Sequence, residues 1–447
     1  MSVPTNRLLS TLVVGLGKSG VSAVRWLVAR GVHVRATDSR SDPPGLAVVA
    51  ALLVPGDLFL GGLSVAALEG VEQVLLSPGV PRTSALLMEA LRRGLPVIGD
   101  VELFAREADA TGVPIIGITG TNGKSTVTTL VGEMAREAGL DAGVGGNLGE
   151  PVLDLLRAGR QWYVVELSSY QLESCPSLQC AAATVLNVSP DHLDRYGSVA
   201  EYAAVKANIF TGAGVAIINA DDSRVVAMVT PGKRIKQFSL SGHADYCLAP
   251  HAGGPWLWAG GEPVLPASAL RIPGLHNAAN ALAALALADA VGFPRNASLT
   301  VLQQFTGLPH RTQWVGERRG VVYIDDSKGT NVGATLAAVA GLPGSLLVIA
   351  GGDGKGQDFT PLAAAFRGKV RKAMLIGRDR DLVAAALEGA CEVERFESMP
   401  DAVVAAANSA RSGETVLLSP ACSSLDMFSD YTHRGRVFAG AVSELPA

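Results

Sequence analysis

A glycine-rich octapeptide between a strand-like run and a helical run constrains this chain more than any other feature. In TGTNGKST, residues 119–126, Gly120 and Gly123 let the backbone bend with its N–H groups pointing inward. The helix that follows adds a partial positive charge, Lys124 adds a full one, and Ser125 offers a hydroxyl to a phosphate-bound Mg²⁺. The spelling is a shorter variant of the standard phosphate loop, and we predict nucleotide binding there. The predicted ATP contacts are Gly120, Thr121, Asn122, Gly123, Lys124, Ser125 and Thr126.

Length and composition indicate a soluble enzyme with several domains. The chain has 447 residues, too many for one compact core, and roughly 150 residues per domain gives about three domains. Hydrophobic residues make up 48% and charged residues 17%, which is typical of α/β enzymes with buried parallel strands. The net charge is −4 and no block of Lys and Arg occurs. We therefore expect neither a nucleic-acid groove nor a surface for anionic membranes.

Cysteine usage and the apolar segments bear on the cellular compartment. Five cysteines occur without a CxxC pair or a zinc-finger spacing to histidine, which favours reduced thiols. An apolar run near the N-terminus leads into a glycine motif rather than a signal-peptide cleavage site, and we interpret it as a strand. No uncharged apolar stretch approaches the ~20 residues of a membrane helix. We expect a cytoplasmic protein without membrane insertion that acts as a monomer.

Alternating strand and helix patterns divide the chain into three parts. Residues 1–102 open as a βαβ unit, residues 103–307 contain the phosphate loop, and residues 308–447 alternate strands and helices again. We predict the α/β fold class with three domains. The first and third are Rossmann-like, and the central one is a P-loop ATPase-type domain with a parallel sheet.

The first βαβ unit carries a possible dinucleotide fingerprint. GLGKSG, residues 15–20, is followed by Asp38 at the end of the next strand, where an acid can bind ribose hydroxyls. Three interpretations compete: an NAD site, a UDP-sugar site, and a structural turn without a ligand. Because the next domain already has an ATP-like loop and no dehydrogenase base is evident, we favour a UDP-binding domain.

Three polar residues of the central part could contribute to chemistry. Glu166 ends a predicted strand, where a carboxylate beside a phosphate loop can bind Mg²⁺ or simply face solvent. His192 follows another strand, and a lone histidine is more often structural than a ligand. Lys206 lies on a helical stretch, where it is either exposed or held neutral to carry CO₂ as a carbamate that binds Mg²⁺. Spacing alone does not decide between these alternatives.

Five further motifs follow strands or open helices. The asparagines of HNAAN, 276–280, could bind a purine edge or cap a helix, and PHR, 309–311, places an arginine at a domain boundary, where it could reach a γ-phosphate. DDSKGTN, 325–331, GGDGKG, 351–356, and SPACSSLD, 419–426, each follow a strand of the third part. Ligands bind at the carboxyl ends of open α/β sheets, so the three loops together indicate a site.

These motifs, in this order and over essentially the whole chain, resemble the Mur ligases of bacterial cell-wall synthesis. The additional segments GGN, VVELSSYQL and LNVSPDHLDRY fit the same family. The last motif and the short first domain are similar to the member that adds D-glutamate. The AGKGHE and DNPR motifs expected in the ligase that adds the third residue are absent from the sequence.

The resemblance implies an ATP-dependent ligase that forms an amide bond in peptidoglycan precursor synthesis. Its small-molecule substrates would be UDP-N-acetylmuramoyl-L-alanine, D-glutamate and ATP. ATP would convert the substrate carboxylate to an acyl phosphate, which the amine of D-glutamate would attack. The alternatives are a folylpolyglutamate-synthetase-like ligase, another Mur-type ligase adding a different amino acid, and a nucleotide-dependent switch without ligase chemistry.

The resemblance also implies roles for individual residues. The catalytic set would be Lys124, Glu166, His192, Lys206 and Arg311. One Mg²⁺ would lie between Ser125, Glu166 and the phosphates, and a second between His192 and carbamylated Lys206. Further ATP contacts would be Asn277, Asn280, His310, Arg311, Asp326 and Lys328. The UDP-linked substrate would contact Ser19, Asp38, Ser77, Gly79, Asn147 and His192. D-Glutamate would contact Thr330, Lys355, Ser424, Leu425 and Tyr431, the last standing where the family often has Phe.

Overall fold

The computed structural model describes residues 8–193, 195–229, 232–272 and 274–446. Its strands form three separate sheets of five, nine and six strands, each flanked by helices, which confirms the predicted α/β class. Within the described ranges, no helix combines the length and apolar character needed to cross a bilayer.

The first sheet is parallel throughout and has the order β3-β2-β1-β4-β5. Buried apolar residues such as Leu12 and Val74 fill its strands, as parallel strands covered on both faces require. The strands are β1 (Thr11–Val14), β2 (Val34–Asp38), β3 (Leu58–Leu60), β4 (Gln73–Leu76) and β5 (Val97–Ile98). The helices are α1 (Lys18–Val28), α2 (Leu46–Ala50), α3 (Ala85–Arg92) and α4 (Asp100–Thr111).

The central sheet has the order β14-β13-β12-β11-β10-β9-β6-β8-β7 and is parallel from β7 to β12. Two antiparallel hairpins extend it at one edge, where we had predicted only alternating strands and helices. The strands are β6 (Ile115–Thr119), β7 (Ala142–Gly146), β8 (Trp162–Glu166), β9 (Gln179–Val185), β10 (Gly212–Asn219), β11 (Arg234–Ser239), β12 (Tyr246–His251), β13 (Gly254–Ala259) and β14 (Glu262–Pro266). The helices are α5 (Lys124–Glu137), α6 (Ser169–Leu172), α7 (Val199–Ala207), α8 (Ser223–Val226), α9 (Leu275–Ala290) and α10 (Arg295–Gln304).

The third sheet has the order β15-β16-β20-β17-β18-β19, and only β15 runs antiparallel to its neighbour. Two apolar clusters cover its two faces. The strands are β15 (Gln313–Arg318), β16 (Val321–Asp325), β17 (Leu346–Gly351), β18 (Val370–Ile376), β19 (Glu392–Arg395) and β20 (Thr415–Leu418). The helices are α11 (Val332–Gly341), α12 (Thr360–Phe366), α13 (Arg380–Ala386), α14 (Met399–Ser409) and α15 (Tyr431–Ser443).

The connections between the sheets position the cleft. One apolar cluster continues from the first sheet through α4 into the central sheet, so these two parts share buried contacts. The predicted boundary at residue 102 lies inside α4, and the one at 307–308 lies in the loop between α10 and β15. The exact domain boundaries remain a prediction. The carboxyl ends of β1, β6, β8 and β16 face the space described next.

Candidate functional site

The phosphate loop joins β6 to α5 in a conformation that needs its glycines. Gly120 has φ +150° and Gly123 has φ +84°, backbone conformations that residues with a side chain rarely adopt. A Cβ on Gly123 would lie 2.4 Å from Asn280 Oδ1, so helix α9 also requires a glycine there. Lys124 Nζ donates to the carbonyl oxygens of Gly120 at 2.9 Å and Thr121 at 2.8 Å. The loop is therefore folded around the ammonium group of Lys124.

A second lysine reaches the same loop. Lys206 on α7 is 1% exposed, which excludes the exposed alternative left open by the sequence. Its Nζ donates to Gly120 O at 2.9 Å and lies 4.5 Å from the ring centroid of Tyr202. Burial, followed by the positive charge of Lys124, holds the pKa of Lys206 well below its usual range. A lowered pKa favours the neutral amine, which is the form that reacts with CO₂.

Glu166, at the end of β8, presents a carboxylate suited to a cation. The residue is 2% exposed, and its Oε1 accepts from Asn147 Nδ2 at 2.7 Å. Its Oε2 is buried and has no hydrogen-bond donor among the described residues. The described ranges contain no group of three or more His, Cys, Asp or Glu arranged to bind a metal. Mg²⁺ commonly uses one or two carboxylates together with substrate phosphates, so the residues present fit that ion.

We expected the hydroxyl of Ser125 to bind the same Mg²⁺ as Glu166, and this hydroxyl faces the third domain. It is buried and accepts from Arg311 Nη2 at 2.5 Å. This contact brings the predicted γ-phosphate arginine directly to the phosphate loop. The two segments are far apart in the sequence, and the structure shows them in contact.

His192 is fixed in orientation by aromatic neighbours. It has φ +56°, a left-handed conformation, and its Nδ1 lies 2.8 Å from the hydroxyl of Tyr170. Arg195 stacks 4.3 Å above the Tyr170 ring and pairs with Glu173 at 2.6 Å. The imidazole lines a cavity of about 290 Å³ shared with Lys124, Glu166, Lys206 and Arg311, so the whole predicted catalytic set lies around one space.

The third domain adds two ammonium groups and one hydroxyl to the lining of this cavity, from Lys328, Lys355 and Thr330. Lys328 Nζ lies 4.0 Å from the ring centroid of Tyr431. Burial, assisted by the nearby charge of Arg311, lowers the pKa of Lys328 to about 8. Lys328 also lines the two cavities described next, and it therefore marks the point where all three meet.

The second cavity, of about 210 Å³, lies between α9 and the third domain. Of the residues predicted to contact adenosine, Asn277, Asn280 and Asp326 line it, and Asn280 Nδ2 donates to Asn277 Oδ1 at 3.3 Å. Burial raises the pKa of Asp326 to about 7. His310 lies outside the lining and contacts Asp325, with Nδ1 and Oδ2 2.6 Å apart. Lining residues to which the sequence analysis gave no role include His276, the first residue of the HNAAN motif, Thr312, which follows the PHR motif, and Phe238, which belongs to no motif.

The third cavity, of about 1060 Å³, extends from the first sheet to the phosphate loop. Five of the six residues predicted for the UDP-linked substrate line it: Ser19, Asp38, Ser77, Gly79 and Asn147. The sixth, His192, lines the neighbouring 290 Å³ cavity instead. Glu166 and Ser125 line the 1060 Å³ cavity at its end away from the first sheet. An elongated molecule bound to the first sheet would therefore reach the phosphate loop.

Asp38 accepts more hydrogen bonds from the protein than the dinucleotide fingerprint predicts. Its Oδ2 accepts from Leu16 N at 2.7 Å, and its two oxygens also accept from the guanidinium of Arg40. The hydrogen bond from Arg40 lowers the pKa of Asp38 to about 2. The carboxylate therefore stabilises the glycine turn and remains charged at neutral pH. Arg40 also lines the cavity, and no motif identified it.

The residues predicted for D-glutamate are only partly brought together. Thr330 and Lys355 line the 290 Å³ cavity, and Tyr431 lines the large one. Ser424 is buried, Leu425 is 71% exposed, and neither lines any of the three cavities.

A buried arginine that the sequence analysis missed connects the loops of the third domain. Arg434 on α15 is 1% exposed, and its Nε and Nη2 donate to the hydroxyl and carbonyl of Ser327 at 3.0 and 2.7 Å. Its Nη1 donates to Cys422 O at 3.1 Å. The arginine therefore joins the DDSKGTN and SPACSSLD loops.

Known proteins resemble this chain over almost its whole length. Profiles described as Mur ligase MurD-like N-terminal domain, Mur ligase middle domain, and Mur ligase glutamate ligase domain match residues 9–99, 118–288 and 310–422. UDP-N-acetylmuramoylalanine–D-glutamate ligase of Methylococcus capsulatus is 50% identical over 97% of this chain and 94% of its own. The protein of that name from Pseudomonas aeruginosa is 47% identical over 97% and 98%.

Solved structures support the same architecture. The crystal structure of UDP-N-acetylmuramate-alanine ligase from Thermotoga maritima has a TM-score of 0.63, at 18% identity over 98% of this chain and 99% of that one. A structure of MurF from Acinetobacter baumannii has a TM-score of 0.62, at 21% identity over 83% and 85%. At these identities the likeness concerns the fold alone.

Proposed function

The chain belongs to the Mur ligase family, and we propose that it joins D-glutamate to UDP-N-acetylmuramoyl-L-alanine, with ATP as the energy source, in bacterial peptidoglycan precursor synthesis. The observation that carries this proposal is that three cavities meet at Lys328. The 290 Å³ cavity lies beside the phosphate loop, and the 210 Å³ and 1060 Å³ cavities adjoin it. A reaction of three substrates requires such a junction. The choice of substrates is supported by relatives of that name that align over almost the entire chain.

In the first step, the substrate carboxylate would attack the γ-phosphate of ATP to form an acyl phosphate. The loop N–H groups, Lys124 and Arg311 would stabilise the charge on the transferred phosphoryl group. Bound Mg²⁺ would neutralise the phosphate oxygens, with Glu166 and Ser125 to hold one ion. The unpartnered Glu166 Oε2 supports this assignment.

In the second step, the amine of D-glutamate would attack the acyl phosphate and phosphate would leave as the amide forms. Positioning supplies most of the acceleration in such a step. Thr330 and Lys355 would bind D-glutamate from the third domain, with Tyr431, Ser424 and Leu425 completing the site. The excess of cations around the 290 Å³ cavity supports an anionic amino acid there.

A second Mg²⁺ would be held by His192 together with a carbamate on Lys206. Its support is chemical: the amine of Lys206 is buried and of low pKa, and it lines the same cavity as His192. A carbamate would convert this amine beside the phosphate loop to an anion, which favours metal binding.

We also propose the division into a UDP-substrate domain, residues 1–102, an ATP domain, residues 103–307, and an amino-acid domain, residues 308–447. A monomeric cytoplasmic enzyme is the accompanying proposal.

The test is release of phosphate by the purified protein given ATP, Mg²⁺ and UDP-N-acetylmuramoyl-L-alanine. We expect phosphate release and an amide product only when D-glutamate is added, with L-glutamate as the matched control. The variant Lys124→Ala should lose nearly all turnover. Phosphate release that is independent of D-glutamate would reject the proposed function.

A further inference from the structure

Asp191 lies where the central and third domains meet, on the loop that follows β9. It is 6% exposed, and Lys355 Nζ donates to its Oδ1 at 3.3 Å. Asn331 Nδ2 donates to its Oδ2 at 3.3 Å. Both partners belong to the third domain, so each oxygen of this carboxylate holds one of that domain's loops.

The contact continues into the phosphate loop. Asn331 and Asn122 exchange hydrogen bonds between their amide groups, at 3.2 and 3.3 Å. Asn331 is also the N-cap of α11, where its Oδ1 accepts from Ala334 N at 2.9 Å. The orientation of α11 is therefore coupled to the phosphate loop through Asn331.

The charges around Asp191 favour its ionised form. Among the described residues, the cavity that Asp191 lines has one other carboxylate, that of Glu166, against several cations. Those cations are Lys124, Arg311, Lys328 and Lys355.

We propose that Asp191 is a positioning residue that fastens the third domain over the phosphate loop and orients Lys355 towards the carboxylate of the incoming amino acid. The inference rests on the proposed function for the identity of that amino acid. Lys355 has φ +49°, so its backbone conformation is unfavourable and needs support from its contacts. Asp191 provides such support without touching the nucleotide cavity.

The test uses the full chain with Asp191→Asn, which keeps the size of the side chain but removes its charge. Loss of a charged hydrogen bond predicts a rise in KM for D-glutamate of about tenfold or more, with KM for ATP changed by less than about threefold. Small-angle X-ray scattering with an ATP analogue and Mg²⁺ should show a larger radius of gyration than for the unmodified protein. Asn331→Asp, which keeps the N-cap acceptor but places two carboxylates together, should show the same two effects.

The matched control is Asp222→Asn. Asp222 Oδ2 accepts from Val188 N at 2.7 Å and so supports the same loop without reaching the third domain. If Asp191→Asn behaves like this control in both KM and scattering, Asp191 only supports its own loop and the proposal is wrong. A lack of D-glutamate-dependent turnover in the unmodified protein would reject the proposed function instead, while the scattering comparison would still test the fastening.

Discussion

Replacing Glu166 by Gln tests the cation site most directly. The change keeps the shape of the side chain, and the amide oxygen can still accept from Asn147, so the end of β8 should stay in place. What is lost is a buried negative charge whose Oε2 has no donor within the described part of the chain.

The expected magnitude follows from that burial. At an effective dielectric constant of about 20, opposite unit charges about 4 Å apart interact by about 4 kcal/mol. Desolvation of the carboxylate offsets part of this, and we expect a loss of about 3 kcal/mol, or about a hundredfold in kcat/KM. This agrees with the ~10²–10³ typical of removing one preorganised electrostatic group.

The assay is phosphate release at increasing Mg²⁺ concentrations. Glu166→Gln should need more Mg²⁺ for half-maximal rate, while KM for D-glutamate should stay the same. Glu150→Gln is the matched control, since the side chain of Glu150 forms an exposed pair with Arg157 at 3.2 Å. Equal rates and equal Mg²⁺ dependence for the two variants would refute the assignment of Glu166 to the cation.

Three further predictions concern other parts of the molecule. Lys206→Ala should lose activity and partly regain it with added formate or acetate, which can replace a carbamate; normal turnover without added acid would exclude the carbamate role. Arg434→Met should destabilise the third domain by about 2–4 kcal/mol in urea unfolding because the carbonyls of Ser327 and Cys422 lose their donor, whereas the exposed Arg436→Met should have little effect. The pKa of Asp38 is lowered to about 2, so its contribution to stability should be constant between about pH 5 and 8 and decline below about pH 4 as the carboxylate protonates. Thermal unfolding of Asp38→Asn against the unmodified protein measures this difference, and a constant difference down to pH 2 would contradict it.

The parts that sequence could predict are those with local causes. The phosphate loop depends on a strand, two glycines and a lysine within a few residues, and the structure has it as expected. The alternation of strands and helices in the three parts of the chain likewise follows from short-range hydrophobic patterns. Most of the residues that the family resemblance implied then line one of the three cavities, although the cavities also include many residues that no motif identified.

The parts that sequence missed depend on distant packing. Lys206 is buried because α7 packs against the phosphate loop, and its sequence neighbours do not indicate this. The hairpins β12–β14 contain Pro250, Pro255, Pro263 and Pro266, and proline argues against a strand in the interior of a sheet. These three strands form one end of the central sheet, and β14 is its edge strand. His310 has φ +61° and contacts Asp325, whereas its neighbour Arg311 contacts Ser125.

The contact between Arg311 and Ser125 has a consequence for how the cell uses ATP. Arg311 comes from the segment that opens the third domain, so the phosphate site gains this cation only when that domain docks. Nucleotide held by the central domain alone would lack it, and cleavage of the terminal phosphate would be slow. In the proposed reaction, ATP would therefore be cleaved efficiently only with the amino-acid domain in contact with the phosphate loop, which would limit hydrolysis that forms no amide.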